Sequence, residues 1–127
     1  MTALNSYAPL TLITAGSYTS TTTGTGVDLT QYAATGNRNI KVIMDVGTVT
    51  GTNPTWDVKI QESDTLGSGY TDITGAAFTQ VTATGTGAVE LHTRTIKKYI
   101  RALCTIGGTS TPTFPCAVIA IVMERYT

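Results

Sequence analysis

Gly51-Thr52-Asn53-Pro54-Thr55-Trp56 and Gly108-Thr109-Ser110-Thr111-Pro112-Thr113-Phe114 are near copies, set about 58 residues apart. Each follows an alternating apolar run and leads into another. Gly and Pro between two period-2 runs are turn chemistry, so each stretch is expected to be the loop of a β-hairpin. Two like hairpins imply a β-sandwich built from two related halves.

Side-chain alternation sets a register for each expected hairpin. In the first, Val42 faces Ile60, Met44 faces Val58 and Val46 faces Trp56, which puts all six on one face. The opposite face carries Lys41, Asp45, Asp57, Lys59 and Gln61, with Ile43 as the exception. One face is therefore in a core and the other wet. In the second, Ile106 faces Phe114, Cys104 faces Cys116, Ala102 faces Val118 and Ile100 faces Ala120. Its other face holds Leu103, Ala117, Ile119, Ile121 and Met123, so this pair is apolar on both sides. A strand apolar on both faces is buried on both. The second burial comes from a folded-over segment, a central position in the sheet, or another subunit.

Elsewhere the chain reads as short strands between Gly, Thr, Ser, Asn and Pro clusters, with no helix-period segment. Residues 10–13 form a possible first strand, and the polar, low-complexity stretch 17–26 is a loop or an extended arm. Short strands are also expected at 70–73, 76–81 and 88–92. The count is seven or eight, at the spacing of a sandwich or barrel. We divide the chain into an N-terminal arm with a first strand, 1–26, and a β-sandwich domain, 27–127.

Composition narrows the function classes. A chain of 127 residues makes one domain and buries a core without metal or disulfide staples. Threonine, at 28 residues, favours pleated, half-exposed strands. Eight basic residues balance eight acidic ones, so no overall field steers the chain to nucleic acid or an anionic membrane. Low charge with many apolar residues fits a surface covered by neighbours. The N-terminus lacks the basic and apolar regions of a signal peptide, which makes the host cytoplasm the expected place of synthesis. The apolar run 116–123 is too short to span a bilayer as a helix.

Candidate chemistry is thin. Asp45 and Asp57 would sit opposite each other on the wet face, where neither is desolvated as acid–base work requires. Glu62 and Asp64 flank a turn without calcium-loop spacing. His92 is the only histidine, no Gly-x-Ser-x-Gly elbow exists, and one His with two Cys is short of a zinc site. No Gly loop leads into a helix N-terminus to hold phosphate. No catalytic, cofactor-binding or metal-binding residue is therefore expected. Cys104 and Cys116, if directly opposed, could form a disulfide; the other reading is a reduced, buried pair. Arg94, Lys97, Lys98 and Arg101 make one basic cluster, read as a solvated turn or a contact to an acidic protein partner. Trp56, Tyr70, Phe78 and Phe114 would stack sugars only if exposed.

Read in order, several pieces resemble a family of small structural proteins of tailed bacteriophages. They are Val27-Asp28-Leu29, the run 45–64, the run 70–80, Lys98-Tyr99-Ile100-Arg101-Ala102, the second loop and the apolar final strand. The resemblance covers roughly 27–122 and implies a β-sandwich or jelly-roll-like fold, often a trimer on the capsid exterior, with no enzyme activity and no cofactor. On this resemblance the chain is expected to be a capsid decoration (cement) protein of the virion, bound to the major capsid protein or another virion protein. A tail, connector or fibre-associated subunit is the alternative within that class, and a carbohydrate-binding module is the alternative outside it. The expected interface comprises Leu103, Ala117, Ile119, Ile121 and Met123, with Arg94, Lys97 and Lys98.

Overall fold

The structure, a computed structural model, describes residues 7–29, 38–92 and 96–124. Among these residues it is all-β and antiparallel, with eight strands: β1 (Tyr7–Tyr18), β2 (Thr22–Thr23), β3 (Val27–Asp28), β4 (Arg38–Val46), β5 (Thr50–Ser63), β6 (Thr71–Ala77), β7 (Gly85–His92) and β8 (Tyr99–Glu124). A first sheet runs β1-β8-β4-β7, and a second runs β6-β5-β8 with β2 and β3 on the far side of β8. β8 belongs to both sheets: its first half pairs with β5, its second half with β4 and β1. β6 and β7 approach at the remaining margin, so the sandwich is nearly closed into a barrel.

The expected β-sandwich is present, but the two expected hairpins are not. β4 lies in the first sheet and β5 in the second, so Val42, Met44 and Val46 do not pair with Ile60, Val58 and Trp56. They pair instead with Ala120, Val118 and Cys116 of β8, while Trp56, Val58 and Ile60 pair with Ile106, Cys104 and Ala102. The second stretch likewise arches between sheets and does not fold back on itself. Residues 38–63 and 99–124 thus form two long ribbons that run antiparallel to each other through both layers. The inward residues are those that alternation picks out. Val42, Met44, Val46, Trp56, Val58, Ile60, Ile100, Ala102, Cys104, Phe114, Cys116, Val118 and Ala120 are all buried. Period 2 fixes which face a side chain takes, and an arch keeps that face inward as well as a hairpin does.

The near-copy loops meet where the ribbons change sheet. Thr52 pairs with Thr109, and the Thr52 hydroxyl donates to Ser110 Oγ at 3.2 Å. Gly51 and Gly108 share one unusual conformation, φ +111° and +112°, followed by left-handed residues, Asn53 in the first copy and Ser110 with Thr111 in the second. The contacts are reciprocal. A Cβ on Gly51 would fall 2.7 Å from Pro112 Cα, and one on Gly108 would fall 2.9 Å from Pro54 Cα. Only glycine fits both the backbone angle and the gap. The sequence repeat is thus a local two-fold, each glycine seated on the other copy's proline. Beneath it Trp56 stacks on Phe114 at 5.2 Å and on Tyr18 at 6.0 Å, plugging the crossing with one ring each from β5, β8 and β1.

The stretch 1–26, expected as an arm with a first strand, is part of the sandwich from residue 7 onward. β1 is longer than the expected 10–13 and lies along β8 from Tyr7 opposite Met123 to Tyr18 opposite Phe114. It buries Leu12 and Ile13 in the core. β2 and β3 then edge the other half of β8, and Gly24 N donates to Ala102 O at 2.8 Å. This path crosses from one sheet to the other, as the two ribbons do.

Candidate interaction surface

The outer face of the first sheet is built by three cross-strand rows. The middle row is Thr11, Ile119, Ile43 and Ala88, on β1, β8, β4 and β7 in turn. On one side of it lie Pro9, Ile121, Lys41 and Glu90; on the other lie Ala117, Asp45 and Thr86. Ile119 is 36% exposed although it is central in its sheet, and Ile43, Ile121 and Ala117 are only half-buried. The result is an apolar strip across the sheet with charged side chains beside it.

The outer face of the second sheet is closed by side-chain bonds. Lys59 Nζ lies 2.9 Å from Asp72 Oδ2, and Gln61 Nε2 donates to Asp72 Oδ1 at 2.9 Å. Arg101 Nε donates to Gln61 Oε1 at 2.9 Å, with its guanidinium 4.1 Å from the Tyr70 ring centroid. The Tyr70 hydroxyl donates to Leu66 O at 2.8 Å, and Gln80 Nε2 donates to both Asp57 carboxylate oxygens. Hydrogen bonds from Gln61 and Lys59 hold the Asp72 carboxyl below its ordinary range. Burial pushes the Tyr70 phenol up, against the pull of Arg101. The polar groups of this face are bonded to one another around the half-buried Leu103, whereas the first sheet presents an apolar strip.

The structure divides the expected interface set. Ala117, Ile119 and Ile121 share the outer face of the first sheet, and Met123 continues their strand opposite Tyr7 and Asn39. Leu103 does not join them. It sits on the second sheet between Lys59 and Thr23, because β8 changes sheet between residues 107 and 113. Lys97 and Lys98 are exposed at the entry to β8; the Lys97 backbone N–H donates to Glu62 Oε1 at 2.9 Å, and the Lys98 ammonium lies 5.4 Å from the Tyr99 ring centroid. Arg94 lies outside the described residues. Sequence reasoning passed over Ile43, Ala88 and Pro9, which complete the apolar face. Ile43 was the available signal, as the one apolar residue on an otherwise charged strand face.

Among the described side chains, the other candidates are not brought together into a reactive centre. Asp45 pairs with Ala117 in the first sheet and Asp57 with Thr105 in the second, so they form no carboxylate pair. His92 pairs with Asn39 at the end of β7. Trp56 and Phe114 are fully buried and Phe78 nearly so, which removes them from any sugar platform. Cys104 and Cys116 are free and buried. Burial pushes the Cys104 thiol up to about 12, with the Cys116 sulfur adding to it. It also raises Cys116, against the Trp56 indole N–H, which itself makes no hydrogen bond in the ordinary range. Among the described residues no group of three or more His, Cys, Asp or Glu side chains converges. A cleft of about 390 Å³ beside β6 and β7 is walled by Met44, Phe78, Val81, Val89 and threonines, and none of its lining side chains is ionisable.

Two solved structures share this fold. The chain is similar to the SPBc2 prophage-derived protein YomS, with a TM-score of 0.55, 14% identity, and 98% of each chain covered. It is also similar to the VP2 subviral particle of infectious bursal disease virus, with a TM-score of 0.53 and 11% identity. That match covers 95% of this chain and 33% of VP2. No family model and no curated protein matches the sequence.

Proposed function

We propose that this chain is a non-enzymatic structural protein of a bacteriophage virion, and within that class a decoration protein that binds the outside of the head as an oligomer and stabilises it. The observation that carries this reading is the fold, whose likenesses include one prophage-derived chain matched end to end and one virus-particle protein. The apolar outer face of the first sheet supports the oligomer, since association between copies works by burying such a face. The mechanism is linkage. A chain that binds the assembled shell and not the separate shell subunits shifts the equilibrium toward the shell.

Quantitative mass spectrometry of purified phage particles tests the proposal. A decoration protein is present in copies commensurate with the shell lattice and leaves with the head fraction when heads and tails are separated. A few copies, in the tail fraction, would place the chain at the tail or connector. Absence from the particle would end the virion reading altogether.

A further inference from the structure

We infer that the outer face of the first sheet is a self-complementary surface that takes a second copy of this chain across a two-fold axis. The inference rests on the ladder register and not on the virion reading. Let the axis run along the middle row, midway between two facing sheets. Thr11, Ile119, Ile43 and Ala88 then lie on the same row of the second copy. The rows beside it exchange. Ile121 of each copy lies on Ala117 of the other, bulky against small, and Lys41 of each lies on Asp45 of the other, cation against anion. Glu90 meets Thr86, which carries no charge to oppose it. Two of the exchanged pairs are thus complementary, one in size and one in charge.

Size and geometry agree. Four strands at about 4.8 Å spacing, with about eight residues each at about 3.3 Å rise, make a face of about 500 Å². Two such faces in full contact would bury about 1,000 Å², just under the range of about 1,200–2,000 Å² for stable interfaces and within that of weaker, reversible ones. Packed sheets lie about 10 Å apart, a gap that isoleucine against alanine and lysine against aspartate fill. The aligned packing angle of about 30° leaves the central row and its nearest neighbours in contact. Association through the edges beside β8 is blunted. β1 presents an edge carrying Pro9 and two register irregularities, and β2 and β3 have two residues each. The outer face of the second sheet has its polar groups bonded internally. Isologous two-fold contacts are also the commonest kind between identical chains.

Sedimentation equilibrium of the full chain, with charge-swap variants, decides the matter. The parent chain is expected at twice its 13.3 kDa mass. Ile119→Asp, at an exposed position, is expected to sediment as a folded monomer, its fold checked by circular dichroism. Lys41→Asp faces Asp45 of the partner with a like charge at both symmetry-related positions. It is expected to raise the dimer dissociation constant about a hundredfold. Adding Asp45→Lys to that chain restores opposite charges and is expected to recover most of the affinity. Lys59→Gln, on the second sheet, leaves the mass unchanged. A monomeric parent, a trimer, a dimer that survives Ile119→Asp, or a charge swap without recovery would each overturn the inference.

Discussion

Gly51 and Gly108 hold the crossing together by having no side chain. Gly51→Ala sets a methyl group 2.7 Å from Pro112 Cα at φ +111°, and Gly108→Ala sets one 2.8 Å from Asn53 O at φ +112°. Neither neighbour is the flexible end of a side chain, so the ribbons must part. Each substitution is expected to cost about 2 kcal/mol or more in urea unfolding. Gly67→Ala, with nothing within 4 Å, is expected to change stability by less than about 0.5 kcal/mol. The cysteines give a second prediction, with a definite sign. A thiol raised in the folded state keeps its proton there after the unfolded chain has lost its own. Its contribution is complete below the unfolded value near 9 and is lost as pH rises toward about 12. Urea midpoints are therefore expected to fall between pH 8.5 and 10.5, and to fall less in a Cys104→Ala chain. At fixed pH both thiols of the native protein are expected to stay unreactive toward a thiol reagent until it unfolds.

β1 is a load of core, not an appendage. Removing residues 1–14 takes Leu12 and Ile13 from the interior and strips one side of the second half of β8. The truncated chain is expected to lose its cooperative thermal transition, and Leu12→Ala alone to cost about 2–4 kcal/mol. An unaltered transition after truncation would show that β4 suffices to hold β8. The misreading of this segment and of the two hairpins has one physical source. Alternation reports which side of a strand faces apolar surroundings, and Val42, Val58, Ala102 and Val118 face inward as read. It does not report which strand lies alongside, because ladder bonds are made by backbone groups that every residue carries alike. Only residues 10–13 of the β1 stretch read as a strand, since Pro9 and Gly16 interrupt the pattern on either side. It pairs because β8 offers it an unfilled edge, which is information held about 100 residues away. The near-copy loops were legible as a repeat. That each packs on the other was not, since the sequence shows two similar loops and not their distance apart.

Taken whole, the molecule has two unlike sides, and half of that contrast was readable beforehand. Ala117, Ile119 and Ile121 stood out because a strand apolar on both faces asks for a second cover. Leu103 was grouped with them only because β8 was expected to turn back, and its continuous course carries that residue to the other sheet. The dimer and the decoration role then make one joint prediction about particles. Binding to an assembled shell stabilises it in proportion to the logarithm of free chain concentration above the dissociation constant. Heads stripped of this chain are therefore expected to rupture at a lower temperature, and adding the chain back to raise the midpoint until the lattice sites fill. Where a two-fold pair bridges two shell sites, the second attachment is intramolecular and strengthens binding well beyond that of one chain. Ile119→Asp is accordingly expected to reach the same final midpoint only at concentrations at least about tenfold higher. Calorimetry of stripped heads titrated with each chain reads both quantities. A midpoint indifferent to either chain would remove the cementing role and leave the dimer standing. Equal titration curves would mean that the shell contact is made by single chains.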